Sequence, residues 1–240
     1  GEELHTDLIL KTSEKYNLNL EFLTCGAQRP FHDKTADRIL NCNNKFLRIH
    51  NNCSGKHLSM LLYSKVLNVD FQNYYKIDHK SQTHINKFFH EIFQTKDITY
   101  GIDGCGLPAI RLKASHFIDS INFIKNSKYN ELWNRVFNAY VRFPEIIGGT
   151  NRADTNVIKK SNSTLLAKSG AEGVMFVTNN NQSFLFKCLD GSKRGVDLAS
   201  SYYLKSIGLV NNSPFESQVD LYSMNRQNNK AVETKISKKF

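Results

Sequence analysis

Apolar side chains recur at steps of three and four residues along several stretches of the chain, and this spacing predicts amphipathic helices. The clearest stretch follows Ser54, which we expect to cap its helix. Its apolar positions are Leu58, Leu61, Leu62, Val66 and Leu67. Further helices are predicted over residues 6–16, 34–40, 78–92, 117–124, 129–140 and 196–207.

The last third of the chain has a different pattern, with short runs of β-branched and aromatic residues. Residues 174–178 and 184–188 flank an Asn-rich turn and predict a β-hairpin. Helices followed by antiparallel strands favour a mixed α/β (α+β) fold, which we expect to form a single domain over residues 1–240. Shorter strands are predicted over residues 46–49, 219–221 and 231–233, and loops over residues 101–106 and 143–152.

The composition is typical of a soluble globular protein, with 40% hydrophobic and 22% charged residues. No apolar run approaches the roughly 18 residues of a membrane span, so no membrane association is expected. The formal charge of +10 suggests a nucleic-acid-binding domain as an alternative. The lysines are scattered rather than clustered, however, and we expect no nucleic-acid partner. Five widely spaced cysteines do not form a disulfide framework and suit a reducing cytoplasm.

Two stretches are dense in reactive side chains: residues 50–57 (His-Asn-Asn-Cys-Ser-Gly-Lys-His) and residues 100–108 (Tyr-Gly-Ile-Asp-Gly-Cys-Gly-Leu-Pro). The first is not a phosphate-binding loop. That motif needs glycine at position 50 and Ser or Thr at position 57, where this chain has histidines. The second has its glycines in the wrong order for a dinucleotide-binding fingerprint.

Cys53, Lys56 and Cys105 are candidate ligands for a metal ion. A helix N-terminus lowers the pKa of nearby thiols and amines, so we expect a Cys53 thiolate and a neutral Lys56 amine at this helix start. With Cys105 they predict a zinc site with an open position for water, and Asp103 would hydrogen-bond that water. Two alternatives remain open. Both cysteines are buried structural thiols, or Cys53 pairs with a neighbouring histidine as a nucleophile.

Lys168 begins the stretch Lys-Ser-Gly-Ala-Glu-Gly, immediately before the predicted hairpin. A lysine followed by small residues at such a boundary resembles the second-lysine motif of serine acyl-transfer enzymes. There the amine is a general base, or an electrostatic aid, to a serine nucleophile. Taken alone, however, these residues favour an exposed surface lysine over a catalytic one.

Four stretches stand in the order and spacing of one known family: residues 50–57, 100–108, 148–155 (Gly-Gly-Thr-Asn-Arg-Ala-Asp-Thr) and 168–173. Smaller matches are Cys25-Gly26, Asp78-His79 with Gln82, and Lys187 with Asp190-Gly191 and Arg194. Together they make the chain resemble the L-asparaginase II family, the Rhizobium etli-type asparaginases, from Gly1 to about Lys235.

The resemblance implies hydrolysis of L-asparagine to aspartate and ammonia. The implied fold is similar to serine β-lactamases and penicillin-binding proteins, with helices and a mainly antiparallel sheet. It also implies a cytoplasmic homodimer with zinc as its cofactor and L-asparagine as its small-molecule substrate. The residues matched to the family's metal ligands are Cys53, Lys56 and Cys105. Lys168 and Asp103 are expected at catalytic positions, and the residues expected to bind substrate are His57, Arg152 and Glu172.

One departure from the family concerns the nucleophile. Family members carry two Ser–Lys pairs, one of them in a Ser-x-x-Lys motif, and their serines would precede Gly1. The second serine lies in a Ser-His-Ser-Gly-Glu stretch, whose end resembles Gly1-Glu2. No Ser-x-x-Lys occurs in residues 1–240. We therefore expect an N-terminally truncated chain, with a non-catalytic, zinc-binding remnant of the family as the alternative.

Overall fold

The structure is a computed structural model that describes residues 1–211 and 222–233. The chain packs as two compact units, one comprising Gly1–Ser120 and the other beginning at Ile121. Each unit has its own buried hydrophobic core. The single domain predicted over the whole chain stays a prediction, and the two units are described separately.

The first unit is mainly helical, and its helices follow the apolar periodicity. The predicted helices over residues 6–16, 34–40 and 78–92 are confirmed, with ends that differ by a few residues. The elements are α1 (Glu3–Lys15), α2 (Asp33–Asn41), α3 (Ser54–Val66), α4 (Lys80–Phe93), β1 (Thr99–Ile102) and β2 (Pro108–Arg111). Helix α5 (Ala114–Lys125) confirms the helix predicted over residues 117–124 and contains the boundary between the two units.

The core of the first unit forms around α3. Leu58 and Leu61 are buried, and they pack in one cluster with Leu23 and Tyr74 from outside the helix. Burying a leucine of this kind contributes about 1.5–3 kcal/mol. Val66 was predicted on the same face but is 73% exposed, because it lies at the last residue of the helix, beyond the packed turns.

The strand predicted over residues 46–49 is wrong, because Arg48–His50 forms a short 3-10 turn. The Leu47 N–H donates to Nδ1 of the His50 ring at 2.9 Å, and the His50 N–H donates to the Leu47 carbonyl at 3.0 Å. These local bonds satisfy backbone groups that an extended strand would have to pair with a neighbouring strand. The turn leads almost directly into α3.

The loop predicted over residues 101–106 is partly wrong, since its first residues belong to a hairpin. Strand β1 pairs antiparallel with β2, and Tyr100 lies opposite Ile110. Glycines weaken a strand pattern, which is why this short hairpin is hard to recognise in the sequence. The turn itself is confined to residues 103–107.

The second unit combines helices with small antiparallel sheets. The predicted hairpin and the helices over residues 129–140 and 196–207 are confirmed, as is a strand over residues 231–233. The strand predicted over residues 219–221 lies outside the described residues. The elements are α6 (Asn130–Arg142), α7 (Pro144–Gly148), α8 (Ala153–Lys160), β3 (Leu166–Gly170), β4 (Val174–Thr178), β5 (Ser183–Lys187), α9 (Lys193–Ser206), β6 (Tyr222–Met224) and β7 (Lys230–Glu233).

Strand β4 is the central strand of the three-stranded sheet, with β3 and β5 antiparallel on either side. Met175 and Val177 of β4 are fully buried and pack with Val157 of α8 and Leu204 of α9. In the β3–β4 register, Lys168 lies opposite Phe176. Lys168 therefore lies within strand β3, whereas the sequence predicted it just before a strand.

The loop predicted over residues 143–152 is also partly helical. Pro144 begins α7, where its missing N–H is no loss and its fixed φ suits the first helical turn. Helix α8 begins at Ala153 and was not predicted at all. The two short helices position residues 148–155, one of the stretches that resemble the family.

Helices and small antiparallel sheets together confirm the mixed α/β class. In residues 1–211 and 222–233, none of the helices has both the length and the apolar character needed to cross a membrane.

Candidate functional site

Cys53 is held at the start of α3 by a buried asparagine. The Cys53 N–H donates to Oδ1 of Asn51 at 2.7 Å, and the Asn51 amide donates to the Cys25 carbonyl at 2.8 Å. Cys53, and not the predicted Ser54, occupies the N-cap position. The Ser54 hydroxyl instead donates to the Ile49 carbonyl at 3.1 Å.

Cys105 and Asp103 lie in the tight turn between β1 and β2. The Asp103 N–H donates to the Leu107 carbonyl, and the Gly106 N–H donates to the Asp103 carbonyl, both at 2.8 Å. Gly106 has a φ of +89°, a left-handed conformation that favours glycine. This turn buries Cys105 while leaving the Asp103 side chain 37% exposed.

The two segments meet in a cluster that we call the cysteine–lysine cluster: Cys53, Lys56, Asp103 and Cys105. The Lys56 ammonium donates to Oδ2 of Asp103 at 2.9 Å, and the Cys105 thiol donates to the same oxygen at 3.4 Å. Ligand atoms of Cys53, Asp103 and Cys105 all lie within 4.8 Å of one another. The residues predicted to come together from residues 50–57 and 100–108 are therefore neighbours.

The donor set fits zinc. Zinc takes thiolate sulfur at about 2.3 Å in a tetrahedral arrangement, and two sulfurs within 4.8 Å can reach such a position with small movements. Lys56 or Asp103 offers the next donor atom. Since Asp103 contacts both Lys56 and Cys105, it is either a ligand itself or the group that orients one.

The protonation predicted for this cluster is wrong for the metal-free chain. Burial, and then the neighbouring Cys105, raise the pKa of Cys53 to about 11, so the helix N-terminus does not produce a thiolate. Burial disfavours the charge on Lys56, but the hydrogen bond to Asp103 outweighs it and raises the pKa of Lys56. The same bond lowers the pKa of Asp103. Metal binding here must therefore displace protons from a thiol and an ammonium.

His57, a predicted substrate ligand, is fully buried behind this cluster. Tyr74 accepts hydrogen bonds from the Thr24 hydroxyl at 3.0 Å and from the Thr24 N–H at 3.1 Å, and its own hydroxyl contacts Nδ1 of His57. Burial, and then the nearby Lys56 charge, lower the pKa of His57 to about 4. His57 is therefore a neutral, buried ring on the inner face of α3. Its role in substrate binding stays a prediction.

In the second unit, Lys168 forms an ion pair with the buried carboxylate of Asp154. The Lys168 ammonium donates to Oδ2 of Asp154 at 3.1 Å and to the Ser169 carbonyl at 2.9 Å. The Lys168 side chain is 44% exposed and the Asp154 side chain 1%. The sequence indicated Lys168 but not its partner, which lies 14 residues earlier, at the start of α8.

Gly148 makes room for Asp154. A Cβ atom at position 148 would lie 2.5 Å from Oδ1 of Asp154 and would also collide with the Thr155 hydroxyl. That hydroxyl donates to the Gly149 carbonyl at 2.7 Å and the Pro144 carbonyl at 3.1 Å, which ties α8 to both ends of α7. Glycine at this position is therefore a packing requirement of the Lys168–Asp154 pair.

We expect Gly148→Ala to lower the free energy of unfolding by about 1–3 kcal/mol, because the added methyl group overpacks the contact with Asp154. The measurement is chemical denaturation followed by circular dichroism. Gly101→Ala is the control, since a Cβ there meets no atom within 4 Å. Equal losses in the two variants would contradict the packing requirement.

Arg152 and Glu172, the other predicted substrate ligands, lie in different parts of the second unit. Arg152 occupies the N-cap position of α8, two residues before Asp154. Glu172 lies in the turn between β3 and β4 with a φ of +58°, and its carbonyl accepts a hydrogen bond from Lys187. Their roles in substrate binding stay predictions.

The sequence did not indicate the residues that hold the candidate ligands in place. Each of them hydrogen-bonds to a partner that is distant in the sequence, and hydrophobic periodicity does not reveal such polar pairs. The one available signal was their position inside, or next to, the stretches that resemble the family. These residues are Thr24, Asn51, Tyr74, Asp154 and Ser169.

Comparison with known protein families gives one result that bears on function. A sequence model of the L-asparaginase II family matches residues 1–237 of the chain. This range includes the cysteine–lysine cluster, Lys168 and Asp154. No curated protein matches the chain closely enough to be compared with it.

Proposed function

The chain belongs to the L-asparaginase II family, and we propose that it hydrolyses the side-chain amide of L-asparagine to give aspartate and ammonia. Membership in this family supports an amidohydrolase. The finer parts of the proposal are the nucleophile, the metal and the residues that contact substrate.

The observation that carries the proposal is the cysteine–lysine cluster. Its four members come from two segments about 50 residues apart, and they meet at hydrogen-bonding distances. Surface residues have no reason to converge in this way, and a buried structural thiol such as Cys105 needs no carboxylate beside it. The stretches that support the resemblance are thus also the ones that build a site.

We propose that zinc is held by Cys53, Lys56 and Cys105, with Asp103 hydrogen-bonded beside them. Bound zinc would supply a Lewis acid able to polarise water or to orient the polar end of the substrate. The chain's own contribution is to bring two thiols together and to fix Asp103 against Lys56. Because both thiols and the amine must lose protons, zinc affinity should rise with pH.

For the chemical step we propose acyl transfer to serine. The serine oxygen bonds to the side-chain carbonyl carbon of asparagine, the carbon–nitrogen bond breaks, and the nitrogen leaves as ammonia with the proton of the serine. Water then cleaves the ester to give aspartate and regenerates the serine. Lys168 would assist this serine.

The remaining expectations belong to the same proposal. They are a β-lactamase-like arrangement, a cytoplasmic homodimer, and substrate contacts by Arg152 and Glu172. The cation at position 152 suits the α-carboxylate of asparagine, and the anion at position 172 suits its α-ammonium group.

The test is to express the protein with any reading frame that precedes Gly1 and to measure ammonia and aspartate released from L-asparagine. We expect the two products in equal amounts, and slower release from L-glutamine. The measurement is a coupled ammonia assay with chromatographic detection of aspartate. Release from neither amide by folded, zinc-loaded protein would refute the hydrolase.

That negative result would favour the second candidate, a non-catalytic zinc-binding member of the family. One observation speaks for it. Among the described residues, the Lys168 ammonium bonds to the Asp154 carboxylate and the Ser169 carbonyl, and to no serine hydroxyl. If the protein binds one zinc ion per chain and hydrolyses neither amide, this candidate is favoured over the enzyme.

A further inference from the structure

Cys53 and Cys105 bring two thiols together within the cysteine–lysine cluster. Both are free cysteines, and their sulfur atoms lie within 4.8 Å of each other. A disulfide joins two sulfurs at about 2.05 Å, so these sulfurs need to approach by less than about 3 Å to be bonded. The two cysteines are thus close enough to react with each other after a local movement.

The turn that carries Cys105 has room for this movement. Cys105 lies between Gly104 and Gly106, and a Cβ atom added at either glycine would meet no atom within 4 Å. Glycines also leave the backbone of the turn more conformations than other residues would. Cys53, by contrast, is fixed at the N-cap of α3 through its hydrogen bond to Asn51. We therefore expect the turn to carry Cys105 towards Cys53.

Cys25 is the competing partner for Cys105, because both belong to the buried core of the first unit. Its thiol, however, donates to the Arg48 carbonyl at 3.5 Å. Its sulfur also lies outside the group of ligand atoms within 4.8 Å of one another that contains the sulfurs of Cys53 and Cys105. The distances therefore favour Cys53 as the partner of Cys105.

We infer that Cys53 and Cys105 form an intramolecular disulfide when the metal-free protein meets a hydroperoxide, and that this bond and zinc exclude each other at the cluster. Hydrogen peroxide oxidises the first thiol to a sulfenic acid and releases one water. The second thiol then displaces the hydroxyl group as another water and forms the sulfur–sulfur bond. Peroxide thus takes up the two electrons and the two protons that the thiols lose.

The exposure of the two thiols assigns them different roles in this reaction. Cys53 is partly exposed, whereas Cys105 is 6% exposed. Oxidation of cysteine follows the access of the oxidant to the sulfur. The Cys53 sulfur is therefore the one that becomes a sulfenic acid, and Cys105 is the thiol that resolves it.

The exclusion of zinc follows from the chemistry of sulfur. Zinc binds the thiolate form of cysteine, and a sulfur within a disulfide has no such charge to offer. This part of the inference rests on the proposed function, which places zinc at Cys53 and Cys105. The formation of the disulfide does not rest on it, because it concerns the metal-free chain alone.

The first test treats chelator-dialysed wild-type protein with hydrogen peroxide and blocks the remaining thiols with iodoacetamide under denaturing conditions. Mass spectrometry of the unreduced peptides should show Cys53 joined to Cys105, with Cys25, Cys42 and Cys188 alkylated. The joined peptides should separate after treatment with dithiothreitol. Thiols that stay free at Cys53 and Cys105, or a bond from Cys105 to Cys25, would overturn the inference.

Cys105→Ala tests the assigned roles, since it removes the resolving thiol. Peroxide should then leave a sulfenic acid at Cys53, which dimedone traps as an adduct that mass spectrometry detects. Cys42→Ala is the matched control, because it removes an exposed cysteine outside the cluster and should still form the Cys53–Cys105 bond. No adduct at Cys53 in a folded Cys105→Ala variant would contradict the assignment of Cys53 as the oxidised thiol.

The second test measures the competition with zinc. At about ten times the dissociation constant of zinc, disulfide formation should slow about tenfold, because only metal-free chains react. Oxidised protein should bind less than about a tenth of the zinc of the reduced protein, and dithiothreitol should restore binding. Equal rates with and without bound zinc would overturn the exclusion. Reduced protein that binds no zinc would refute the proposed metal site, and the first test would still decide the disulfide.

Discussion

Cys105→Ala should reduce bound zinc from about one ion per chain to less than about a tenth of that, after dialysis against a weak chelator. The reason is that tetrahedral zinc sites depend on each thiolate, and only Cys53 would remain. The measurement is metal analysis by mass spectrometry on purified protein at equal concentration. Cys105 is buried in the turn between β1 and β2, so the thermal midpoint should be recorded on the same samples.

Cys42→Ala is the control, because Cys42 is an exposed cysteine of the same unit and lies outside the cysteine–lysine cluster. It should keep the wild-type zinc content. Asp103→Asn separates two roles of the carboxylate. A partner that only orients a ligand costs about 10–100-fold in affinity, whereas loss as large as in Cys105→Ala would make Asp103 a ligand. Zinc retained in full by Cys105→Ala would eliminate the proposed metal site.

Lys168→Met should lower kcat for asparagine hydrolysis by about 10²–10⁴-fold, the range expected when one positioned acid, base or charge is removed. Methionine has a similar length, so the packing of β3 is largely retained. The measurement is steady-state ammonia release, with zinc content confirmed to be unchanged.

Lys113→Met is the control for Lys168→Met, since it removes an exposed lysine charge from the first unit. It should alter kcat by less than twofold, which is about 0.4 kcal/mol, an effect typical of surface substitutions. If Lys168→Met kept wild-type kcat, the assignment of this lysine to the reaction would be lost, while the zinc site would be unaffected.

The sequence predicted helices better than strands, for a physical reason. Helices such as α1 and α4 carry enough apolar repeats for the period to be clear, and each is stabilised by local backbone hydrogen bonds. The hairpin of β1 and β2 has four residues per strand and includes a glycine, so too few positions alternate to form a pattern. The short helix α8 follows two glycines, which favoured a loop.

The sequence predicted which residues lie together in the cysteine–lysine cluster, but it did not predict their protonation. Family-like spacing correctly brought Cys53, Lys56, Asp103 and Cys105 together. The predicted thiolate was wrong because the helix N-terminus competes with burial and with a second thiol, and neither is visible in a local stretch. Asp154 was missed for a similar reason, since its importance depends on a strand partner 14 residues away.

The bond between Asp154 and the Ser169 N–H also bears on how the protein behaves at high concentration. Strand β3 pairs with β4 on one side, and in the described residues no strand pairs with its other side. An open strand edge is a template for edge-to-edge association between chains. At Ser169 this edge is covered, because the buried Asp154 carboxylate accepts the N–H with which a foreign strand would have to pair. The contact that holds Lys168 thus also protects part of the β3 edge from association between chains.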